Sequence, residues 1–190
     1  GRIADKHLMN EYDDAVGLKD LAKISSAVTT EFENVPADSL RLLSDLLPVC
    51  PQAEAVEVAQ DRIREKTFLD KNGFRVAPYK VFNDSASITD SIQGLMFPGL
   101  LKVSRFGYDG KGQLLIKDAT ELKSGFEKLG NVPCVFEHFL PLKAEVSVII
   151  ARDQKGDTVV YPVAENKHRN GILDITIAPA RVANNIVSEA

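Results

Sequence analysis

Residues 100–117 read LLKVSRFGYDGKGQLLIK. Two apolar runs, Leu100 to Val103 and Gln113 to Lys117, have the length and composition of strands. Between them lies a loop, Arg105 to Gly112, with three glycines in the six residues from Gly107. Glycine backbone in such a turn lets N–H groups come close to phosphate oxygens. P-loop and Rossmann loops lie between a strand and a helix. This loop lies between two strands, so the sequence predicts the tip of a hairpin that folds down over a ligand, or more plainly a mobile hairpin turn. Lys102 sits at the end of the first strand, where a compact cation reaches an anion under the loop or else faces solvent. Lys111, inside the loop, adds a second positive charge.

Working outward, Arg75 to Phe82 reads as a strand, and Asp84 to Leu95 as a helix broken by Pro98-Gly99. A helix from about Ala59 to Asn72 is expected, with Ile63, Phe68 and Leu69 as its apolar face and Asn72-Gly73 as its C-terminal cap. Nearer the start, Gly17 to Lys23 suits a short helix and Ala27 to Phe32 a buried strand. Pro36 to Leu47 follows as a helix carrying Leu40, Leu43 and Leu47, then a strand end at Val49-Cys50-Pro51. Strand, helix, strand is the pattern of a parallel α/β layer.

Downstream, Asp118 to Glu121 has the spelling of a capping box opening a helix from Glu121 to Leu129. Strands are expected at Cys134 to Glu137, Thr158 to Pro162, Ile172 to Ile177, and Glu145 to Arg152, the last with Val146, Val148 and Ile150 on one face. Turns fall at Lys155-Gly156 and Asn170-Gly171. The fold class is α/β at the start and α+β overall.

The 190 residues are 44% hydrophobic and 26% charged, ordinary globular usage. A net charge of -4 with both signs interspersed gives no footprint for nucleic acid. The longest uncharged run, Ser91 to Leu101, is interrupted by Gly94, Pro98 and Gly99 and is too short to span a membrane. Cys50 and Cys134 stand far apart and read as reduced thiols of a cytoplasmic protein. The N-terminus lacks an apolar signal region. Both ends look cut from something longer.

Several side chains are candidates for chemistry. Glu137 ends an apolar run and precedes His138-Phe139-Leu140-Pro141, a segment suited to hugging a flat ring, with the carboxylate accepting from an exocyclic amine or a ribose. A solvated strand-end glutamate is the alternative. Glu145 belongs to the face opposite Val146, Val148 and Ile150, which is either solvent or a cleft. His168 lies in the polar cluster Glu165 to Gly171, which reads as an exposed loop. His7 and His138 form no metal spacing with it.

The order of these features resembles the nucleotide site of ATP-grasp enzymes. Thr30 to Asn34, Gln60-Asp61-Arg62, Gly107 to Gln113, Glu145-Val146-Ser147, Tyr161-Pro162, Glu165 to His168 and Gly171 to Leu173 together resemble the 5-(carboxyamino)imidazole ribonucleotide synthase family of that fold, over essentially the whole chain. The resemblance implies a partial ATP-grasp fold preceded by the tail of a Rossmann-like domain. It divides the chain into residues 1–50 (preceding α/β domain), 51–74 (linker and helix), 75–140 (small lid) and 141–190 (start of the large subdomain). It also implies that Arg62, Lys102, Gly107, Tyr108, Asp109, Gly110, Lys111, Gly112, Gln113, Glu137, His138, Phe139, Leu140, Glu145 and His168 contact ATP. Tyr108 and Asp109 would lie near the imidazole ribonucleotide, and Lys102 and Asp109 would be catalytic.

The implied reaction carboxylates aminoimidazole ribonucleotide with bicarbonate, using ATP and Mg2+, in purine biosynthesis. The enzyme would be a cytoplasmic homodimer acting on small molecules, without nucleic acid or membrane partners. On this resemblance the chain is an internal fragment, inactive by itself, whose magnesium ligands lie beyond Ala190. Two alternatives stand beside it. One is another ATP-grasp ligase, such as the formate-dependent glycinamide ribonucleotide transformylase, against which Tyr108-Asp109 and the Asn166 to His168 element argue. The other is a nucleotide-binding module without catalysis.

Overall fold

A computed structural model describes residues 3–107, 112–153, 155–169 and 171–190, the side chains of 89–91 excepted. The chain forms two compact units, one from Gly1–Phe106 with Gln113–His138 and the other from Gly107–Gly112 with Phe139–Ala190.

The first unit opens with four helices, α1 (Ala15–Ile24), α2 (Ala37–Ser44), α3 (Ala53–Ala59) and α4 (Arg62–Lys71). Asp14 caps α1 by accepting from the Val16 amide at 2.9 Å. Leu40 and Leu43 of α2 are buried, and Leu40 joins Val35, Ala53 and Val56 in a small core. The strand expected at Ala27 to Phe32 reduces to one parallel bridge, Val28 to Val49, with Phe32 exposed; α2 lies between the two bridge residues in sequence. A single bridge suffices to keep the strand–helix–strand order without a sheet. The helix expected from about Ala59 to Asn72 is α4, which starts three residues later because Asp61 caps it, its carboxylate accepting from the Ile63 and Arg64 amides. Phe68 is exposed rather than packed on an apolar face, and Gly73, at φ 79°, terminates the helix as expected. Glu57 on α3 receives the guanidinium groups of Arg41 and Arg64, which hold its carboxyl below the usual carboxylate range.

The chain then builds β1 (Tyr79–Phe82), α5 (Ser85–Ser91), β2 (Gly99–Val103), β3 (Gln113–Ile116), α6 (Ala119–Lys128) and β4 (Cys134–His138). The four strands make one antiparallel sheet in the order β1-β4-β2-β3. The glycine loop therefore joins two paired neighbours, as a hairpin. Of this loop, Tyr108, Asp109, Gly110 and Lys111 lie outside the described residues. Asp84 and Ser87 form a reciprocal capping box at α5. At α6 the expected box is only half made. Asp118 accepts from the Thr120 amide, whereas Glu121 reaches the Lys117 amide, one residue further back.

In a strand successive side chains point to opposite faces. One face of the sheet carries Leu101, Val103, Ile116, Cys134, Phe136 and Phe82, which close on Ile88, Leu122 and Phe126 into the main core. Burial pushes the Cys134 thiol up to about 11, as fits an inert core thiol.

The second unit contains β5 (Glu145–Ser147), β6 (Ile150–Arg152), β7 (Thr158–Val160), β8 (Ala164–Arg169), β9 (Ile172–Ile177) and α7 (Asn184–Glu189). The strand expected over Glu145 to Arg152 is split: β5 joins the sheet β5-β8-β9, and β6 pairs with β7 alone. Val146, Val148 and Ile150 consequently do not share one buried face, and Ile150 is exposed. The polar cluster read as a loop is strand β8.

Gly99 is a place where a side chain cannot stand. A Cβ there would lie 2.1 Å from the Phe136 ring, against the core. Gly99→Ala is expected to destabilise the first unit by about 1–3 kcal/mol, the usual cost of overpacking. A urea midpoint equal to wild type would show that the Phe136 ring moves aside freely.

Candidate functional site

Because Leu101, Phe136 and their neighbours take the core face, the residues between them in sequence must take the other. The register pairs Leu100 with Glu137, and Lys102 with both Val135 and Gln113. Lys102, Glu137 and Gln113, three of the residues singled out in the sequence, thus share one face. Lys102 Nζ lies 3.2 Å from Glu137 Oε2. A second cation, absent from the sequence expectations, meets the same oxygen: Lys66 Nζ of α4 is also 3.2 Å from Glu137 Oε2. The group is well shielded, with side-chain exposures of 17% for Lys66, 18% for Lys102 and 10% for Glu137. Two ammonium groups on one carboxylate leave one net positive charge in a desolvated place, which attracts an anion strongly. The signal for Lys66 was its spacing. It stands one helical turn after Arg62, and residues four apart lie on one side of a helix.

The start of α4 is fixed to the end of β2. Ser104 Oγ donates to Asp61 Oδ1 at 2.5 Å, and the Arg62 amide donates to the Ser104 carbonyl at 3.0 Å. Gln60, itself buried, donates to the carbonyls of Glu33 and Val35 and accepts from Arg105. Phe106, at φ 61°, carries the Arg105 guanidinium 5.5 Å from its ring centre as the chain enters the loop. A cleft of about 460 Å³ opens beside this junction, lined by Ile63, Arg64, Ser104, Arg105, Phe106 and Pro133 among others; Lys102 and Glu137 are not in its wall.

On β4, His138 follows Phe136 on the core face, opposite to Glu137. Its Nδ1 lies 3.3 Å from the Met96 carbonyl, and its amide donates to Pro78. Phe139 and Leu140, which follow in the second unit, are exposed.

In the second unit the register sets Glu145 opposite Asn166, and Asn166 opposite Thr176. Asn166 Nδ2 donates to Glu145 Oε1 at 3.4 Å, and Asn166 Oδ1 accepts from Thr176 Oγ1 at 3.1 Å. His168 Nδ1 is 3.5 Å from the same Glu145 oxygen. Glu145 and His168, named separately from sequence, are thus brought together, with Asn166 between them. Among the described residues no three His, Cys, Asp or Glu side chains gather as a metal site. No described helix is long and apolar enough to cross a membrane.

Residues 67–190 match the model of the ATP-grasp domain. The chain belongs to the ATP-grasp family. Residues 1–60 of this ATP-grasp chain match the ribonucleotide synthetase preATP-grasp domain. It is 36% identical over 184 residues to the N5-carboxyaminoimidazole ribonucleotide synthase of Brucella melitensis, covering 96% of this chain and 51% of that protein. It is 36% identical over 190 residues to the synthase of Bacillus subtilis, covering 100% of this chain and 50% of that protein. Among solved structures, the N5-carboxyaminoimidazole synthetase of Staphylococcus aureus complexed with ADP superposes with a TM-score of 0.91 at 34% identity, over 99% of this chain and 50% of that one. The ATP-grasp chain spans about half the length of the curated relatives it matches.

On the other face of β8, Glu165 holds Arg181. The guanidinium donates to both carboxylate oxygens at 3.2 and 3.3 Å and keeps the Glu165 carboxyl below the usual carboxylate range. A depressed folded value means the folded form takes up the proton less readily than the unfolded chain. The pair's contribution to stability is therefore complete above about pH 5 and is lost as pH falls through the folded value. Glu165→Gln is expected to flatten the acid side of the second unit's stability profile, read as urea midpoints at neutral and acid pH. An identical acid slope in the variant would remove Glu165 from that profile.

Proposed function

We propose that the protein to which this chain belongs carboxylates 5-aminoimidazole ribonucleotide with bicarbonate, converting ATP to ADP and phosphate, in purine biosynthesis. The observation that carries this reading is the shielded, net positive Lys66–Glu137–Lys102 group on one sheet face. It occurs in a chain whose relatives are named as synthases of the carboxylated product. The reading treats the chain as an internal piece of a cytoplasmic, homodimeric enzyme. Its lid comprises residues 75–140 and is followed by the start of the large subdomain.

Bicarbonate is a poor electrophile. Transfer of the γ-phosphoryl group of ATP to a bicarbonate oxygen releases ADP and gives carboxyphosphate. The exocyclic amine of the ribonucleotide then forms an N–C bond with the carboxyl carbon, or with CO2 released from it, and phosphate leaves. In this scheme Lys102 holds the phosphates as a point charge, and Arg62 contributes a second cation. Gly107 to Gln113 close over the nucleotide and exclude water from the labile intermediate. Glu137 to Leu140 border the adenine and ribose, and Glu145 and His168 are further nucleotide contacts in this reading. Asp109 orients or deprotonates the amine, with Tyr108 beside the ribonucleotide. Mg2+ accompanies ATP in this reading, and among the described residues no three His, Cys, Asp or Glu side chains gather to hold it.

The test is phosphate release dependent on both bicarbonate and 5-aminoimidazole ribonucleotide, with ATP and magnesium, in the protein at the length of its relatives. Such release is expected there and not from the 190-residue chain alone. Release independent of the ribonucleotide would point to a different acceptor. In the same protein Lys102→Ala is expected to weaken ATP binding roughly tenfold to a hundredfold, the worth of one charge-assisted contact. Unchanged ATP kinetics would leave Lys102 as a structural partner of Glu137.

A further inference from the structure

We propose that Lys66 is a positioning residue whose task is to release Lys102 to the phosphates; this rests on the reading that the Lys102 face binds an adenine nucleotide. Lys66 and Lys102 reach the same oxygen of Glu137 from a helix and a strand, each at 3.2 Å. One ammonium group neutralises one carboxylate. The second is surplus to that purpose, and shielding two like charges around one oxygen is costly unless both are used. Without Lys66, Lys102 would face a choice on nucleotide binding. It would either keep Glu137 and miss the phosphate, or take the phosphate and strand a carboxylate that is 10% exposed. With Lys66 in place, Glu137 stays paired whichever way Lys102 turns. Glu137 is then a parking place for Lys102, and Lys66 keeps it stable when vacated. Asp61 and Ser104, which lock the start of α4 to the end of β2, hold the helix that carries Lys66 in register with the sheet.

This assignment differs from a direct phosphate contact by Lys66 and from a purely structural ion pair, and the three are separable. ADP and adenosine are titrated calorimetrically into the protein at the length of its relatives. The variants are Lys66→Met, Lys102→Met, the double variant and Lys66→Arg. Lys66→Met is expected to weaken ADP about tenfold while leaving adenosine within about twofold, and to have little further effect once Lys102 is methionine. Lys66→Arg is expected to restore most of the ADP affinity. Should Lys66→Met fail to fold, Lys66→Gln is measured in its place.

Equal weakening of ADP and adenosine would make the pair structural and overturn the proposal. Additive losses in the double variant would make Lys66 an independent phosphate ligand and overturn it equally. If Lys102→Met weakens ADP and Lys66→Met does not, the proposal fails alone. If wild type binds neither ligand, or Lys102→Met leaves ADP untouched, the nucleotide reading fails and takes the proposal with it.

Discussion

The pairing of β2 with β4 is the constraint on which the first unit depends. Leu101 opposite Phe136 and Val103 opposite Cys134 commit one face of the sheet to the core. A strand has only two faces, so Lys102 and Glu137 have no choice but to share the other. A slip of β4 by one residue would send Glu137 into the core and bring Phe136 out. The hydrophobic cost of that exchange is what places the charged group, more firmly than any attraction among its members.

The second requirement is that α4 arrive at this face at the right height. Asp61 serves as the helix cap and as the acceptor of the Ser104 hydroxyl, so one carboxylate both starts the helix and ties it to the end of β2. Residues 62 and 66 then follow along one side of the helix. Local capping and tertiary attachment are the same interaction here, and neither element can shift without the other.

The apolar runs that end at Lys102 and Glu137 were legible from sequence as strands, as was the hairpin nature of the glycine loop, because both depend on short-range pattern. Strand β8 was not. Glu165 to Arg169 is polar throughout, and it is extended because β5 and β9 pair with it on both sides. The start of α4 at Asp61 is placed too early by sequence for a related reason, since the partners of Gln60 and Asp61, namely Glu33, Val35, Ser104 and Arg105, are distant in sequence. Lys66 meets its partner Glu137 from far away in sequence. Glu145 and His168 were each noticed, but only the register of β5 on β8 makes them neighbours. For His138 the strand period sets the side chain on the face opposite to Glu137.

The buried amide of Gln60 bears on how this chain can be divided. The two family matches end at residue 60 and resume at 67, which invites a cut in between. Yet Gln60 knits the backbone of Glu33 and Val35 to Arg105, and Asp61 knits α4 to Ser104. Severing the chain there would leave polar atoms of both pieces to be resatisfied by water at a surface shaped for protein. The recurring evolutionary module and the cooperative folding unit thus have different borders, and the second runs straight across the seam of the first.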